Sequence, residues 1–207
     1  MPLPNGVDPA GVIQPVCPSA GWMGNRGLLH DGDARLVRAW RLKAWITCRL
    51  SYKGWSRKPL MKPGRYTELF FLDEATALSA GHRPCAMCRR ADYLAFKSQW
   101  LAANGFEADM LAAELDGRLH EERTHRGASD AWRQPLAALP AGTMVLSGDA
   151  ACLWDGTALR PWSNTGYGEQ RLPDDPLTLV NLLTPPSIVA TIRHGYNVQL
   201  HASATTR

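Results

Sequence analysis

A pair of cysteines separated by two residues constrains this chain more than any other feature. Cys85 and Cys88 follow a Gly-x-x-Pro turn at residues 81–84, and two arginines come directly after them. Two thiolates on one tight turn can share a tetrahedral metal ion, and this spacing is typical of zinc knuckles. Two buried thiols without a metal are the alternative. The sequence therefore predicts a Zn²⁺ site with basic residues beside it.

The size and composition of the chain fit a globular protein. It has 207 residues, of which 45% are hydrophobic, and this is enough for one domain or two small modules. Residues 1–19 contain neither a basic segment nor an apolar run, so we expect no signal peptide and no membrane span. The five cysteines form an odd number, which favours reduced thiols or metal ligands over disulfides. We therefore expect a cytoplasmic protein.

The hydrophobic pattern predicts an α+β fold in which a zinc-knuckle N-terminal half packs on helices and a β-hairpin and helix region follows. Residues 1–21 are predicted to be an irregular arm, and residues 22–105 a basic zinc-binding module. Residues 106–207 are predicted to form a helix and then a β-rich region, with Asp155-Gly156 as a hairpin turn. We expect this last region and the zinc module to form one compact unit.

Local signals place the cysteines next to regular elements. Residues 34–44 have helical spacing of apolar positions, and residues 45–50 alternate like a strand, which places Cys48 on a strand. Asp73 is the expected N-cap of a short helix, and Gly81 is the expected residue after its end. Further helices are expected at residues 91–105, 109–124 and 184–194.

The segment around the knuckle resembles the Ada-type metal-binding domain of bacterial DNA alkyl-phosphotriester repair proteins. The pattern of that family is Cys-x3-Cys, a Phe-rich strand, an Ala-rich helix and then Ala-Gly-Phe-Arg-Pro-Cys-x-x-Cys. The matching part of this chain is residues 45–90, with Cys48 first and Phe70-Phe71 in the second strand. The resemblance implies that Cys48 is a third zinc ligand. It also implies that Cys48 matches the thiolate that takes a methyl group from a DNA phosphotriester, since coordination keeps a thiol deprotonated.

The fourth ligand of the zinc ion is open at this stage. The Ada-type pattern has a second cysteine where this chain has Tyr52. Candidates are His82, Cys17 and His30, and we expect His30 because residues 24–30 resemble a turn that positions a side chain. Water or substrate could instead fill the position. With one thiolate fewer, the sulfurs are poorer nucleophiles and a bound water is a better one, which favours zinc as a scaffold or a hydrolytic centre.

Positive charge is concentrated in the half of the chain that contains the knuckle. Between Trp22 and Trp100 there are 15 Lys and Arg residues and 6 Asp and Glu residues. Such local charge suits a phosphate backbone, although a solvated basic surface without a partner is the alternative. We expect a nucleic acid, DNA in particular, as the partner. The expected contacts are Lys53, Arg57, Lys58, Lys62, Arg89 and Arg90.

One predicted helix offers residues for acid–base chemistry. Asp116 and His120 are four residues apart on it, so the carboxylate could orient the imidazole. A charged, solvent-facing helix is the alternative. Residues 84–88 are also similar to the Pro-Cys-x-x-Cys of zinc nucleobase deaminases. The upstream His-x-Glu of those enzymes has no equivalent here, since the chain has this sequence only at residues 120–122.

These observations lead to one expected function and two alternatives. The expected function is a zinc protein that binds nucleic acid in DNA repair or processing. The first alternative is a zinc-dependent enzyme, a hydrolase or a nucleobase deaminase-like protein, that acts on a nucleic acid or a nucleotide. The second alternative is a zinc-stabilised structural module without a nucleic acid partner. The number of protein ligands on the metal distinguishes the first two, since a structural zinc site is closed and a catalytic one keeps an open position.

Overall fold

The computed structural model of the protein describes residues 3–15, 17–54, 58–107 and 109–205. Within them, four α-helices accompany two six-stranded sheets, which confirms the α+β class. The helices are α1 (Glu74–Ser79), α2 (Arg90–Ala103), α3 (Ala112–Thr124) and α4 (Pro186–Arg193). The third helix begins later than predicted, after Leu111 as N-cap, and Asp109 forms an ion pair with Lys97 at 2.6 Å.

The first sheet consists of strands from the N-terminal half, in the spatial order β2-β1-β5-β3-β4-β6. These strands are β1 (Gly6–Val7), β2 (Ile13–Gln14), β3 (Trp22–Asn25), β4 (Ile46–Arg49), β5 (Leu69–Phe71) and β6 (Arg83–Pro84). The arm that was expected to be irregular therefore supplies two strands. It is fixed to β5 by a hydrogen bond of 2.7 Å from the Phe70 N–H to the Asn5 carbonyl.

The expected helix at residues 34–44 is wrong. This segment is an irregular loop that folds back on β3, and the N–H groups of Arg41 and Leu42 both donate to the carbonyl of Arg26. Trp40 is 41% exposed and Leu42 is 50% exposed. Because Trp40 and Leu42 stay largely exposed, the helical spacing has no continuous buried face, and spacing alone does not stabilise a short helix.

The two faces of the first sheet have different surroundings. Met23, Cys48 and Phe70 are in register on neighbouring strands, so their side chains share one face. Phe71 points to the other face, where its ring centroid lies 4.6 Å from that of His82. The second face packs on α1, whose six residues are all buried.

A buried acidic pair at the start of α1 joins the two halves of the chain. Asp73 is the N-cap, as predicted, and its carboxylate accepts from the Thr76 N–H at 2.9 Å. The same carboxylate accepts from the Tyr167 hydroxyl at 2.8 Å and from the His201 N–H at 3.1 Å. Glu74 follows Asp73 and is 0% exposed. Residues near position 200 therefore complete the environment of a helix in the first half.

The second sheet consists of strands from the C-terminal half, in the order β11-β10-β9-β8-β12-β7. These strands are β7 (Arg133–Pro135), β8 (Thr143–Ser147), β9 (Ala150–Trp154), β10 (Leu159–Ser163), β11 (Gly166–Tyr167) and β12 (Leu179–Leu182). The predicted hairpin is present as part of a longer meander, and its turn at Asp155-Gly156 joins β9 to β10. The Asp155 carboxylate accepts from the Thr157 and Ala158 N–H groups at 2.9 Å and 2.8 Å. Phe96 and Trp100 of α2 pack with Ile188 and Ile192 of α4 in the core beside this sheet.

Candidate metal centre and its surroundings

The first sheet and the turn after β6 bring Cys48, Cys85 and Cys88 together. Strand β6 runs parallel to β4, and the Cys85 N–H continues the ladder with a 2.9 Å bond to the Thr47 carbonyl. This bond sets Cys85 beside Cys48. The chain then turns, with the Arg89 N–H donating to the Cys85 carbonyl at 3.1 Å, and α2 begins at the next residue.

The three sulfur atoms all lie within 4.8 Å of one another. A tetrahedral zinc ion with Zn–S bonds of about 2.3 Å holds its sulfurs about 3.8 Å apart, so the spacing fits such an ion after small side-chain shifts. Cys48, Cys85 and Cys88 are 7%, 8% and 9% exposed, and Met23 and Phe70 pack around them. This group of three cysteines can hold a metal ion.

Hydrogen bonds at the sulfurs favour the thiolate form that a metal needs. The Met87 N–H donates to Cys85 Sγ at 3.4 Å, and the Arg49 N–H donates to the sulfur of Cys88. A hydrogen bond from the Cys48 thiol lowers the pKa of Cys85 to about 5. The same bond, together with burial, raises the pKa of Cys48. Burial raises the pKa of Cys88 as well, so only Cys85 favours the thiolate without a metal. A bound cation would replace the protons of the other two thiols.

His30, the expected fourth ligand, does not join the three cysteines. Its Nδ1 atom lies 2.7 Å from Thr67 Oγ1, and its Nε2 atom lies 3.2 Å from the Lys62 carbonyl oxygen. Both ring nitrogens are therefore engaged in fixing the loop before β5. The turn at residues 24–30 positions this side chain as expected. The ring points toward Thr67 and Lys62, however, and not toward the cysteines.

The other candidates for the fourth position also lie apart from the cysteines. His82 is on the opposite face of the sheet, where its Nε2 accepts from Arg26 Nε at 3.3 Å. The Cys17 thiol donates to the carbonyl of Asn164 at 3.1 Å. Tyr52 packs against the cysteines as a partly buried side chain. Among the described Cys, His, Asp and Glu residues, only the three cysteines form a group of this kind.

The expected hydrogen-bonded pair of Asp116 and His120 does not form. Arg83 takes the carboxylate with two bonds, Nε to Oδ1 at 2.8 Å and Nη2 to Oδ2 at 2.7 Å. A buried guanidinium needs such a counter-ion, and this requirement outweighs the helical spacing. His120 Nδ1 has no hydrogen-bond partner among the described residues, and its ring packs edge-on against Trp40 at 4.3 Å.

His120 also lies on the side of the sheet away from the three cysteines. Its ring centroid is 6.3 Å from that of Trp45. Trp45 precedes Cys48 by three residues on an extended run, so the two side chains point to opposite faces. Burial and the nearby Arg123 lower the pKa of His120. The neutral imidazole is thus part of a packed aromatic cluster.

The expected nucleic acid contacts divide into exposed and buried residues. Arg89 is 1% exposed and binds Glu74 and Asp92, so its expected contact with nucleic acid is wrong: the guanidinium neutralises buried carboxylates. Arg57 lies outside the described residues. The exposed members of the set are Lys53, Lys58, Lys62 and Arg90.

Two features beside the cysteines were missed in the sequence. Arg49 is exposed directly after Cys48, and the alternation of β4 could have indicated it. The second feature is a cavity of about 380 Å³ lined in part by Asn5, Cys17 and Phe70. No sequence signal indicates this cavity, because its walls come from separate segments of the chain.

Comparison with known proteins identifies no relative, since no family model, no curated protein and no solved structure matches this chain. None of the helices in the described residues combines the length and the apolar character of a transmembrane span.

Proposed function

We propose that this protein binds Zn²⁺ through Cys48, Cys85 and Cys88 and binds nucleic acid beside that site, in DNA repair or processing. The observation that carries the proposal is the group of three buried sulfurs within 4.8 Å. Thiolates are soft ligands that select zinc over magnesium or calcium, and zinc has no preference that conflicts with this geometry. The group joins a turn to a strand, as expected of a zinc knuckle.

The resemblance of residues 45–90 to the Ada-type domain supports the DNA partner. The knuckle and Cys48 occupy ligand positions of that family in the same order along the chain. The members of that family act on DNA, and their zinc-bound thiolate acts on a phosphate ester. This chain departs from the pattern at Tyr52, so the proposal includes DNA binding and leaves out methyl transfer.

Exposed cations near the cysteines support a polyanionic partner. Arg90 follows the knuckle by two residues and is exposed. Arg49 is exposed on the opposite face of the same strand as Cys48, in register with Trp22. Lys53 and Lys62 lie on the loop between β4 and β5 and are also exposed. Each phosphate that such a residue neutralises releases condensed counterions, which makes binding favourable at low salt.

The metal part of the proposal is tested by zinc analysis of purified protein. We expect about one zinc per chain, and Cys85→Ser should lose most of it because a thiolate ligand is removed. Cys152→Ser is the matched control, since Cys152 is a buried thiol in a different core cluster. Equal zinc in both variants and in the unmodified protein would contradict the ligand assignment.

The nucleic acid part is tested by the salt dependence of binding to a labelled DNA oligonucleotide. A plot of log affinity against log salt should have a negative slope, and Lys62→Gln/Arg90→Gln should reduce it by about 1.5, since each lost phosphate contact changes it by about 0.7–0.9. The control is Arg118→Gln/Arg133→Gln, which removes two exposed charges from other elements. Absence of binding at low salt, or equal slopes for both double variants, would refute this part.

A zinc-dependent enzyme is the second candidate, and one observation favours it. Within the described residues the metal group contains three ligands, and a zinc ion with three protein ligands keeps a position for water or substrate. X-ray absorption spectroscopy of the zinc-loaded protein distinguishes the two functions. Three sulfurs with one oxygen would favour the enzyme, and a fourth protein ligand would favour the binding protein.

A further inference from the structure

A small cavity opens on the same face of the first sheet as the three cysteines. Its volume is about 380 Å³, at the lower end of the range for small-molecule sites. Phe70 lines this cavity and also packs against the cysteine group. Leu50, two residues after Cys48, lines it as well. The cavity and the metal centre are therefore neighbours.

The walls of the cavity are apolar except for one amide and one thiol. Asn5 is 1% exposed, and its Oδ1 atom has no hydrogen-bond partner among the described residues. A buried amide oxygen without a partner is unfavourable, and a hydrogen-bond donor on a ligand in this cavity would satisfy it. The Cys17 thiol is already engaged with the Asn164 carbonyl. The ligand thus needs a hydrogen-bond donor and an otherwise apolar surface.

Charge is distributed differently inside the cavity and at its rim. None of the described residues that line it is charged, which excludes a phosphate from its interior, because a buried anion needs a counter-ion. Lys62 is exposed two residues after the lining residue Leu60. Arg49 lies on the opposite face of the sheet, because it is in register with Trp22. Neutral walls with a cation close along the chain match a neutral aromatic group attached to phosphates.

We propose that this cavity receives one unpaired nucleobase of a single-stranded nucleic acid. Phe70 supplies the aromatic surface against which the base packs, and the Asn5 amide pairs with its hydrogen-bonding edge. Lys62, two residues after the lining residue Leu60, binds a flanking phosphate. The inference rests on the proposed nucleic acid binding and adds the position at which a base enters the protein.

The test compares two oligonucleotides of equal charge, a labelled single-stranded 12-mer and an abasic 12-mer with the same phosphate backbone. Fluorescence anisotropy with the zinc-loaded full chain should show about tenfold tighter binding of the strand that carries bases, as expected for one base stacked on an aromatic side chain. Ala20→Met adds a longer side chain at a wall residue of the cavity. It should abolish the preference and leave abasic binding unchanged. Asn5→Leu, which keeps the walls apolar, should reduce the preference.

Ala102→Met is the matched control, because Ala102 lines a different concavity on α2. Zinc content and thermal denaturation show whether each variant is folded. Equal binding of both strands by the unmodified protein, or a preference that persists in Ala20→Met, overturns the base site and leaves the proposed function standing. Failure to bind either strand overturns the proposed function itself. Saturable binding of free nucleosides to the unmodified chain, absent in Ala20→Met, would support the base site even in that case.

Discussion

Replacing Arg89 by methionine should destabilise the folded protein by about 3–5 kcal/mol, the usual effect of removing one partner from a buried ion pair. The Arg89 and Glu74 side chains are both fully buried, and Nη2 lies 2.5 Å from Oε1. A second ion pair joins Arg89 Nε to Asp92 Oδ2 at 2.8 Å. Glu74 keeps its bonds from the Tyr196 hydroxyl at 2.7 Å and the Gln199 N–H at 3.0 Å. These remaining bonds reduce the loss toward the lower end of the range.

The assay is urea denaturation of the protein at neutral pH, with Arg90→Met as the matched control. Arg90 is exposed, so the same substitution there should change the free energy of unfolding by no more than about 0.5 kcal/mol. It should weaken DNA binding instead. A loss of less than about 1 kcal/mol for Arg89→Met, or equal losses for the two variants, would refute the structural role of Arg89.

The loss in Arg89→Met should also depend on pH. Burial raises the pKa of Glu74 despite the attraction of Arg89, and without Arg89 this pKa should rise further. A carboxyl group whose pKa is raised in the folded state stabilises it at low pH and loses that contribution as pH rises through the folded pKa. The difference in stability between Arg89→Met and the unmodified protein should therefore shrink as pH falls from 7 toward 5. A constant difference would contradict the argument.

Two further predictions concern the sheets. A Cβ atom on Gly24 would lie 2.2 Å from the Ile46 carbonyl oxygen. Gly24→Ala should therefore separate β3 from β4 and lower both the melting temperature and the zinc content. Gly32→Ala is the control and should change neither, because the space around Gly32 is open. Burial opposes ionisation of Asp155, but hydrogen bonds from backbone N–H groups such as that of Ala158 prevail and lower its pKa to about 2. The ionised Asp155 stabilises the folded protein above the unfolded pKa of about 3.9, and this stabilisation is lost as pH falls toward 2. Asp155→Asn should therefore lose less stability than the unmodified protein when the pH is lowered through that interval.

The knuckle region could be predicted from sequence because its signals are local. A cap at Asp73, a left-handed Gly81 with φ +85 and an alternating strand around Cys48 each depend on a few neighbouring residues. The proximity of Cys48 to the knuckle depended on the family resemblance, since spacing alone does not indicate which strands pair.

The failures have a common physical cause in long-range contacts. Residues 34–44 have helical spacing, but Trp40 is covered only in part by His120 of α3, and Leu36 packs on a different cluster. Asp116 and His120 have the spacing of a helical pair, but the Asp116 carboxylate binds Arg83, which lies on β6. Arg89 and Arg90 are equivalent in the sequence, and only the packing of α1 decides which one is buried. In each case the decisive partner is distant along the chain.

The contacts at the start of α1 also have a consequence for biosynthesis. Asp73 and Glu74 obtain partners from His201, Tyr196 and Gln199, which the ribosome adds more than a hundred residues later. While those residues are still inside the exit tunnel, two carboxylates beside the knuckle lack these donors. A nascent chain that ends before these residues already contains all three cysteines, but it lacks the residues that complete the surroundings of the site. We therefore expect the packing around the cysteine group to be completed only after synthesis of the C-terminal segment, and a ribosome stalled before that point would carry a partly folded chain.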